Sequence, residues 1–533
     1  NTLFYYIMNR KYFLLAAMGM LALPMAAQET YQDTKLIGNE LNGTARYVGM
    51  GGAMEALGAD ISTMQSNPAG IGLFRKSQIS LSGGLVSQSG DNANTSLSYG
   101  GSKMSIKGDK TNASFDQIGF VWAMRNGQNS YLNFGFNFHK SRNFNQILSG
   151  ANTLSNASLN KLTAIKNNIG LNAENSMAWT SVDDLYGQLL TSLASSDGKT
   201  LKIDYLNGTQ YMFGNHDYGY IGEYDFNISG NIHNRIYLGL TMGLHDVNYR
   251  SNKYYTEDLE NSNYSENWEQ LKIDGTGFDV KLGAIFRPFA ESPFRIGLYV
   301  NTPVWYDLTM RGRADLTMTD ANGQQKSPNG NASDYDYKVY TPWKFGVSLG
   351  HTVDNYLALG FTYEYQDYSA IDNRINDGGY YDDWGGYYDN SNSDEAMNRD
   401  TELNLKGVHT LKFGAEVKPI PELAIRLGYN YVSPQFKDNA FRDQSIQSPG
   451  VGYATSADYT NWKATNRFTF GLGYTYKNIF FDAAYQYNHT NGDYYPFMYY
   501  DKDKVSATNN NIPSATKVKF DRHQLLFTLG YRF

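Results

Sequence analysis

The chain has 533 residues, a formal net charge of −7 and 18% charged residues, against about 25% charged residues in soluble domains. It contains 52 Gly and 44 Tyr but no Cys, which excludes a disulfide framework and a thiolate metal site. No basic region stands out, so nucleic acid is not an expected partner. A chain poor in charge and rich in Tyr and Gly favours strands and turns over helical bundles.

The N-terminal region has the pattern of an export signal. Arg10 and Lys11 give a positive start, residues 12–23 are apolar, and residues 24–27 provide small side chains for cleavage. This apolar stretch is too short to anchor the chain in a membrane. We therefore expect residues 1–27 to be removed and the mature chain to be exported.

From Gln78 onward, the sequence alternates apolar with polar or small residues, as in Phe134, Gly135, Phe136 and Asn137. A period of two places the two sets on opposite faces of a strand. Because lipid cannot satisfy open backbone groups, a chain without long apolar helices can span a membrane only as a closed barrel. Fourteen such segments lie near residues 78–88, 115–124, 131–140, 217–230, 235–248, 271–287, 293–309, 336–350, 355–368, 406–418, 422–433, 464–477, 479–489 and 519–533.

The connections between these segments alternate in length. Six are short and seven are long, which is typical of periplasmic turns and external loops in outer-membrane barrels. The longest loop, 141–216, has two helix-like stretches, 151–173 and 182–194, that we expect to cap the barrel mouth. The last strand ends in Phe533, the kind of terminal aromatic that suits recognition by the barrel-assembly machinery.

These observations predict an all-β protein: a 14-stranded antiparallel transmembrane β-barrel over residues 78–533. We expect it to reside in the bacterial outer membrane, in contact with outer-membrane lipid, and to be a monomer. A barrel of this width leaves a lumen, and residues 28–77, which do not alternate, provide an N-terminal hatch (plug) inside it.

The hatch segment carries three short motifs. They are Gly51-Gly52-Ala53, Gly58-Ala59-Asp60 and Asn67-Pro68-Ala69-Gly70. Together they resemble the N-terminal hatch of the FadL/TodX-type outer-membrane transporters of hydrophobic compounds, whose known members are fourteen-stranded barrels. The resemblance implies a gating role for the first and third motifs, that is for Gly51, Gly52, Ala53, Asn67, Pro68, Ala69 and Gly70.

The hatch motifs also have a physical interpretation. Glycines at 51 and 52 permit close backbone approach and unusual dihedral angles. Pro68 biases Asn67 towards an extended shape, from which the Asn67 amide can hydrogen-bond a turn. The alternative is that this box is only a turn before the first strand. The resemblance implies that the box lies against a kinked third strand, where the wall opens sideways near Gly135 and Asn137.

The same resemblance implies a function. The expected activity is passive uptake of small hydrophobic molecules, either long-chain fatty acids or aromatic hydrocarbons, with lateral release near strand 3. No cofactor, metal site or catalytic residue is expected. The alternatives are a surface-adhesion barrel, a haemin-binding outer-membrane receptor and a lipid hydrolase. Ser348 stands in a Gly-x-Ser-x-Gly string, but apolar alternation through the string indicates a strand serine that faces the lumen.

Several polar residues fall on the lumen side by strand parity. We interpret His139 and His245 as polar lining. Four cations are candidates for binding a substrate carboxylate, because an anion in a partly dry pocket needs a charged donor. They are Lys281, Lys344, Lys412 and Arg426. The alternative is that they pair with lumen acids such as Asp279, Glu364, Glu416 and Asp482.

Overall fold

The computed structural model describes residues 29–38, 40–168, 180–190, 192–194, 201–381, 383–443, 446, 448, 454–498 and 511–533. The predicted export signal lies outside the described residues. In chain order the strands are β1 (Gln78–Ser89), β2 (Ser96–Tyr99), β3 (Ser102–Ser105), β4 (Thr111–Arg125), β5 (Tyr131–Asn143), β6 (Gln146–Thr153), β7 (Ser192–Ala194), β8 (Leu201–Ile203), β9 (Gly208–Ile232), β10 (Ile236–Leu259), β11 (Asn263–Phe286), β12 (Arg295–Asn301), β13 (Trp305–Thr319), β14 (Gln325–Lys326), β15 (Asn331–Tyr340), β16 (Lys344–Val353), β17 (Leu357–Asp367), β18 (Asp372–Tyr381), β19 (Tyr387–Ser393), β20 (Gly407–Ile420), β21 (Leu423–Val432), β22 (Tyr459–Tyr476), β23 (Ile479–Tyr495) and β24 (Thr516–Arg532).

The helices are few and short. The α-helices are α1 (Thr30–Ile37), α2 (Ala45–Gly49), α3 (Leu159–Asn168), α4 (Ser181–Leu189) and α5 (Glu395–Asn404). The 3₁₀ turns are Ile61–Gln65, Pro68–Leu73, Asp91–Ala93, Glu260–Ser262 and Tyr368–Ala370. No helix among the described residues is long and apolar enough to cross a membrane.

The wall is a closed antiparallel barrel. Counting strands that continue across a short break as one, its fourteen members within the described residues are β1, β4, β5/β6, β9, β10, β11, β12/β13, β15/β16, β17/β18, β20, β21, β22, β23 and β24. The first and last strands pair from Gln78↔Arg532 to Ser89↔Asp521, which closes the cylinder. The predicted fold class is therefore confirmed.

Two of the breaks have a proline at their centre. Pro303 separates β12 from β13, and Pro342 separates β15 from β16. A proline has no backbone N–H to donate to a ladder, so pairing is interrupted there. The same two wall strands resume pairing on both sides of the breaks: β12 pairs with β16, and β13 pairs with β15.

The two ends of the barrel differ as predicted. Six short connections lie at one end, at residues 126–130, 233–235, 287–294, 354–356, 421–422 and 477–478. At the other end, the prediction of a long loop between β10 and β11 is wrong, because both strands continue to a tight turn at Glu260–Ser262. Both helices predicted in the longest loop are present with other bounds. The helix α3 begins at Leu159, since residues 151–153 belong to β6, and α4 ends at Leu189, since residues 192–194 belong to β7.

The outer face of the wall is apolar and exposed. Phe226 and Leu427 are 51% and 61% exposed, whereas the neighbouring Asn227 and Arg426 are buried inside. At the end with the short turns, exposed Tyr356, Tyr474, Tyr476, Tyr531 and Phe533 form an aromatic rim. An apolar outer band with aromatic residues at its edge and a polar interior is typical of a barrel in lipid. The protein is a transmembrane barrel of the outer-membrane type.

Candidate functional site

The Asn-Pro-Ala box is a buried structural element of the plug, residues 29–77. Asn67 has extended backbone angles and caps the 3₁₀ turn Pro68–Leu73, because its Oδ1 accepts a hydrogen bond from the Ala69 N–H at 3.2 Å. Its Nδ2 donates to the Glu55 carbonyl at 3.0 Å. Asn67 thus ties two parts of the plug together, as the physical interpretation of the box requires.

The box is docked on the wall by wall residues without bulky side chains. The Ser229 hydroxyl donates to the Pro68 carbonyl at 2.8 Å. A Cβ atom on Gly239 would clash with the Pro68 backbone, and one on Gly283 would clash with the Asn67 side chain. The box therefore faces mainly β9, β10 and β11, the fourth to sixth wall strands. The third wall strand, β5, contacts the turn that the box begins, since Asn133 donates to the Ile71 carbonyl at 2.7 Å.

The glycine pair docks on the opposite side of the lumen. Gly51 and Gly52 have φ values of +62° and +78°, which favour glycine. The Gly51 carbonyl accepts a hydrogen bond from Asn430 on β21 at 3.2 Å. A Cβ atom on the wall residue Gly428 would clash with the Gly51 nitrogen. Plug and wall thus approach backbone to backbone at this point.

Buried ion pairs also hold the plug. Lys412 Nζ lies 2.8 Å from Glu55 Oε1 on the plug and 3.0 Å from Glu364 Oε1 on the wall. Arg46 of the plug pairs with Glu416 of the wall at 3.2 Å. Breaking a buried pair leaves an uncompensated charge, which is strongly destabilising. These contacts fix the plug at a defined height in the lumen.

Three of the four cations that strand parity places inside the barrel are ion-paired. Lys412 pairs with Glu364 as described, Lys281 pairs with Asp279 at 3.0 Å, and Arg426 pairs with Glu416 at 2.6 Å. Lys344 differs: among the described residues, its Nζ has no hydrogen-bond or ion-pair partner. It lines two of the inner cavities.

Three neighbouring cavities lie between the outer end of the barrel and the plug. The outer cavity, about 240 Å³, is lined by residues that include Tyr31, Phe144, Tyr249 and Trp462. The plug cavity, about 80 Å³, and the cluster cavity, about 50 Å³, lie deeper. The outer and plug cavities share lining residues such as Tyr368 and Val408, and the plug and cluster cavities share others such as Gln65, Ser141 and Lys344.

The outer cavity combines aromatic walls with an excess of positive charge. Its lining includes seven Lys or Arg and four Asp or Glu residues. Each of the four carboxylates is already paired with a cation of the lining. The pairs are Glu29–Arg442 at 3.3 Å, Glu40–Arg522 at 3.0 Å, Asp217–Lys35 at 3.5 Å and Asp458–Lys253 at 2.5 Å.

Arg142 is a cation that sequence reasoning missed. It lines both the outer and the cluster cavity, and its guanidinium lies 5.9 Å from the Phe144 ring centroid. Among the described residues, it has no hydrogen-bond or ion-pair partner. A β-bulge shifts the register between Lys140 and Arg142, so parity counted from the start of the strand fails beyond it. The sequence shows no sign of the bulge.

The third wall strand loses one of its two neighbours along its length. The β4–β5 ladder runs from Arg125↔Tyr131 to Gln117↔His139 and ends there, whereas pairing with β9 continues through β5 and β6. Gly135 and Asn137 lie inside the paired part, where Asn137 is hydrogen-bonded to Gln117 at 3.0 Å.

Beyond the end of this ladder, side chains bridge the wall. Lys140 Nζ donates to Ser114 Oγ at 2.8 Å. Asn42 of the plug donates to Asp116 at 3.0 Å and to the Lys140 carbonyl at 2.9 Å. This side-chain-bridged interval lies just beyond the residues expected to mark a lateral opening.

The lumen serine and histidines lie where parity places them. Ser348 sits in the β16 ladder opposite Gly297 and Thr362. His139 and His245 are buried beside Glu223, His139 Nε2 at 3.4 Å and His245 Nδ1 at 3.9 Å from its carboxylate. The histidines are therefore part of a charged cluster and not only of a wet polar lining.

No protein-family model matches the sequence, and no curated protein matches it. Among solved structures, the chain is similar to a Pseudomonas aeruginosa FadL homologue, with 11% identity, a TM-score of 0.49 and coverage of 93% of this chain and 100% of the other. The CymD monoaromatic hydrocarbon channel has 12% identity and a TM-score of 0.48, and the match covers 93% of this chain and 99% of the other. The P. putida toluene transporter TodX has 11% identity and a TM-score of 0.47, and the match covers 92% of this chain and 99% of the other. The chain is a fourteen-stranded barrel of the outer-membrane type with its N-terminal segment plugging the lumen, and it is similar in fold to the FadL- and TodX-type channels.

Proposed function

We propose that the chain is a FadL-type channel for passive uptake of small hydrophobic molecules across the outer membrane. The observation that carries the proposal is the outer cavity, which offers aromatic walls at the outer end of a barrel whose lumen is plugged. Transfer of apolar surface from water into such a cavity is favourable by about 25 cal/mol per Å². No step needs an energy source, because the substrate moves between apolar environments.

The substrate class that suits the cavities best is a fatty acid. An apolar tail would contact the aromatic walls, and a carboxylate would need a cation that has no other partner. Arg142 and Lys344 are such cations, and both line the cluster cavity. The paired residues Lys281, Lys412 and Arg426 remain weaker candidates, since each already neutralises a carboxylate of the protein.

The proposed exit is the interval beyond the β4–β5 ladder. Its closure depends on the Lys140–Ser114 hydrogen bond and on Asn42 of the plug, not on backbone pairing. Side-chain contacts separate at lower cost than a strand ladder. A small movement of the plug at Asn42 would open this interval towards lipid, next to the expected positions Gly135 and Asn137.

The test is uptake of radiolabelled oleate and of radiolabelled toluene by cells that lack other channels for hydrophobic compounds. Cells expressing the full chain are expected to accumulate the label several-fold faster than cells with an empty vector. If cells with the chain and cells with the empty vector take up oleate at the same rate and toluene at the same rate, the proposal is overturned. Label that binds to the cell surface but does not enter the cells, or cells that adhere to a surface, would favour the adhesion alternative instead.

A further inference from the structure

Six charged or ionisable side chains meet on the lumen face of four adjacent wall strands. They are His139, Glu223, Asp225, His245, Asp279 and Lys281, called here the Glu223 cluster, and all are buried. The strand register aligns them: Glu223 pairs across the sheet with His139 on one side and His245 on the other. In the next row Gly243 stands between Asp225 and Asp279, and a Cβ atom there would clash with Asp279 Oδ1. Gly243 therefore opens the space in which the cluster meets.

Lys281 neutralises only part of the negative charge of the three carboxylates in the cluster. Its Nζ lies 2.5 Å from Glu223 Oε1, 2.9 Å from Asp225 Oδ1 and 3.0 Å from Asp279 Oδ1. Three carboxylates against one ammonium leave an excess of two negative charges when both histidines are neutral. Buried charges without compensation are costly. A divalent cation bound between the carboxylates would supply charge that no other member of the cluster provides, although Arg142 and Lys344 line the same cavity.

Three of the four histidine ring nitrogens in the cluster make no hydrogen bond. Among the described residues, they are both nitrogens of His245, whose side chain is only 5% exposed, and Nε2 of His139. His245 is held edge-on against Tyr306, with ring centroids 5.7 Å apart. The His245 nitrogens thus lie beside the carboxylates of the cluster without a hydrogen bond to them.

The spacing between His245 and Asp279 is that of two ligands of one metal ion. His245 Nε2 lies 3.3 Å from Asp279 Oδ1. Ligand atoms bound at about 2.0–2.1 Å to one tetrahedral Zn²⁺ ion are about 3.3–3.4 Å apart. One ligand atom each from Glu223, His245 and Asp279 lies within 4.8 Å of the other two. These three residues also line the cluster cavity, which provides a route in and room for a water ligand.

We propose that Glu223, His245 and Asp279 bind one Zn²⁺-class divalent ion in the lumen wall, at the floor of the cluster cavity. His139 and Asp225 lie beside the site and orient Glu223 and Lys281. Lys281 remains hydrogen-bonded to Glu223 Oε1 and Asp225, and competes with the ion for Asp279. The site ties β9, β10 and β11 together at the level at which the plug docks, and it does not depend on the proposed transport function.

The test uses the full mature chain without an affinity tag, folded in detergent, stripped with EDTA and then incubated with Zn²⁺. After gel filtration, the wild type is expected to retain about one zinc ion per chain by atomic spectroscopy. His245→Gln and Asp279→Asn are expected to lower zinc affinity at least tenfold. The matched control is His489→Gln, which removes the histidine of a His–Asp pair on another strand, where His489 Nδ1 lies 2.6 Å from Asp521; it is expected to retain zinc.

A further variant distinguishes loss of the zinc site from loss of the fold. Lys281→Gln removes the competing ammonium, so it is expected to bind zinc more tightly than the wild type, which a misfolded chain would not do. Heat-dependent mobility on gels checks that each barrel is folded. A wild type that retains no zinc, or a His245→Gln variant that retains as much as the wild type, overturns the site.

Discussion

Lys412 Nζ on the barrel wall lies 2.8 Å from Glu55 Oε1 on the plug, and both side chains are buried. Thr362 and Tyr47 donate to the same carboxylate at 2.6 Å and 3.0 Å. A plug carboxylate is thus held by wall residues from two strands and by the plug itself. This pairing explains why Lys412, which parity placed in the lumen, serves to position the plug.

Lys412→Met should loosen the plug. The change leaves Glu55 and Glu364 buried without their cation, at a cost of about 3–5 kcal/mol. Cells expressing the variant are expected to become several-fold more sensitive to a large hydrophilic antibiotic, while the barrel keeps its heat-dependent gel mobility. Lys463→Met is the control, because Lys463 pairs with Asp493 in an exposed position. Equal sensitivity of both variants would contradict an anchoring role.

Asn67→Ala and Pro68→Ala should lower substrate uptake and leave the barrel folded. Asn67 caps the 3₁₀ turn and bonds to Glu55, and neither residue is part of a wall strand. Loss of such a cap costs about 1 kcal/mol of local stability, enough to misplace the box on Gly239 and Gly283. The measurement is the initial rate of oleate uptake, with Gln128→Ala in the exposed turn between β4 and β5 as control. Unchanged rates in both variants would remove the box from the gate.

Lys344→Met and Arg142→Met should weaken binding of a fatty acid much more than binding of its methyl ester. A charge-assisted hydrogen bond contributes about 1.5–3 kcal/mol, which corresponds to roughly a tenfold to hundredfold change in affinity. Titration of the detergent-folded chain with oleate and with methyl oleate measures the difference.

The ion-paired cations are the internal comparison for this experiment. Each of Lys281, Lys412 and Arg426 is also changed to Met. If one of these variants loses more affinity for oleate relative to methyl oleate than Lys344→Met and Arg142→Met do, the carboxylate site lies with the paired cations. If acid and ester respond equally at all five positions, the barrel has no carboxylate site.

Joining Ser114 to Lys140 should block lateral release. The chain has no natural cysteine, so Ser114→Cys with Lys140→Cys gives a single pair for a short thiol cross-linker across the bridged interval. Uptake is expected to fall after cross-linking and to recover when a cleavable linker is reduced. Cross-linking Thr465→Cys to Thr490→Cys, which face each other in the intact β22–β23 ladder, is the control and should have no effect. A block at the control pair alone would place the exit elsewhere.

The docking of α1 on α5 should weaken as the pH rises. Burial raises the pKa of Asp400 on α5 to about 7, even though a hydrogen bond from Thr30 of α1 acts in the opposite direction. The folded chain therefore keeps a proton that the unfolded chain releases near its ordinary value of 3.8. Since the folded state binds more protons over this range, stability falls as the pH rises from about 4 to about 7.

Hydrogen exchange measures this effect. Amides of residues 30–37 are expected to exchange faster at pH 8.5 than at pH 5.5, after correction for the intrinsic rate. Asp400→Asn should remove the difference, whereas Asp438→Asn, at a fully exposed position, should preserve it. A difference that persists in Asp400→Asn would assign the effect to another group, such as Glu269, whose pKa burial raises to about 8.

The sequence by itself determined the barrel. Alternation with a period of two is a local property of each strand, and it requires one apolar and one polar face wherever the strand lies. Strand number, the short turns at one end and the lumen side of Lys281, Lys344, Lys412 and Arg426 could therefore be predicted. The extent of the strands could not, because β10 and β11 continue past the apolar band as a hairpin whose polar residues look like loop residues.

Only the tertiary structure decided which polar groups meet. The partners of Lys412 and Arg426 include Glu55 and Asp482, 357 and 56 positions away in the chain. Such distances carry no local signal. The bulge before Arg142 reverses the parity rule within one residue. The Glu223 cluster depends on the register of four strands and on Gly243 leaving space between two of them. Register and space between strands are properties of the closed barrel, because each is fixed only when every strand has found its neighbour.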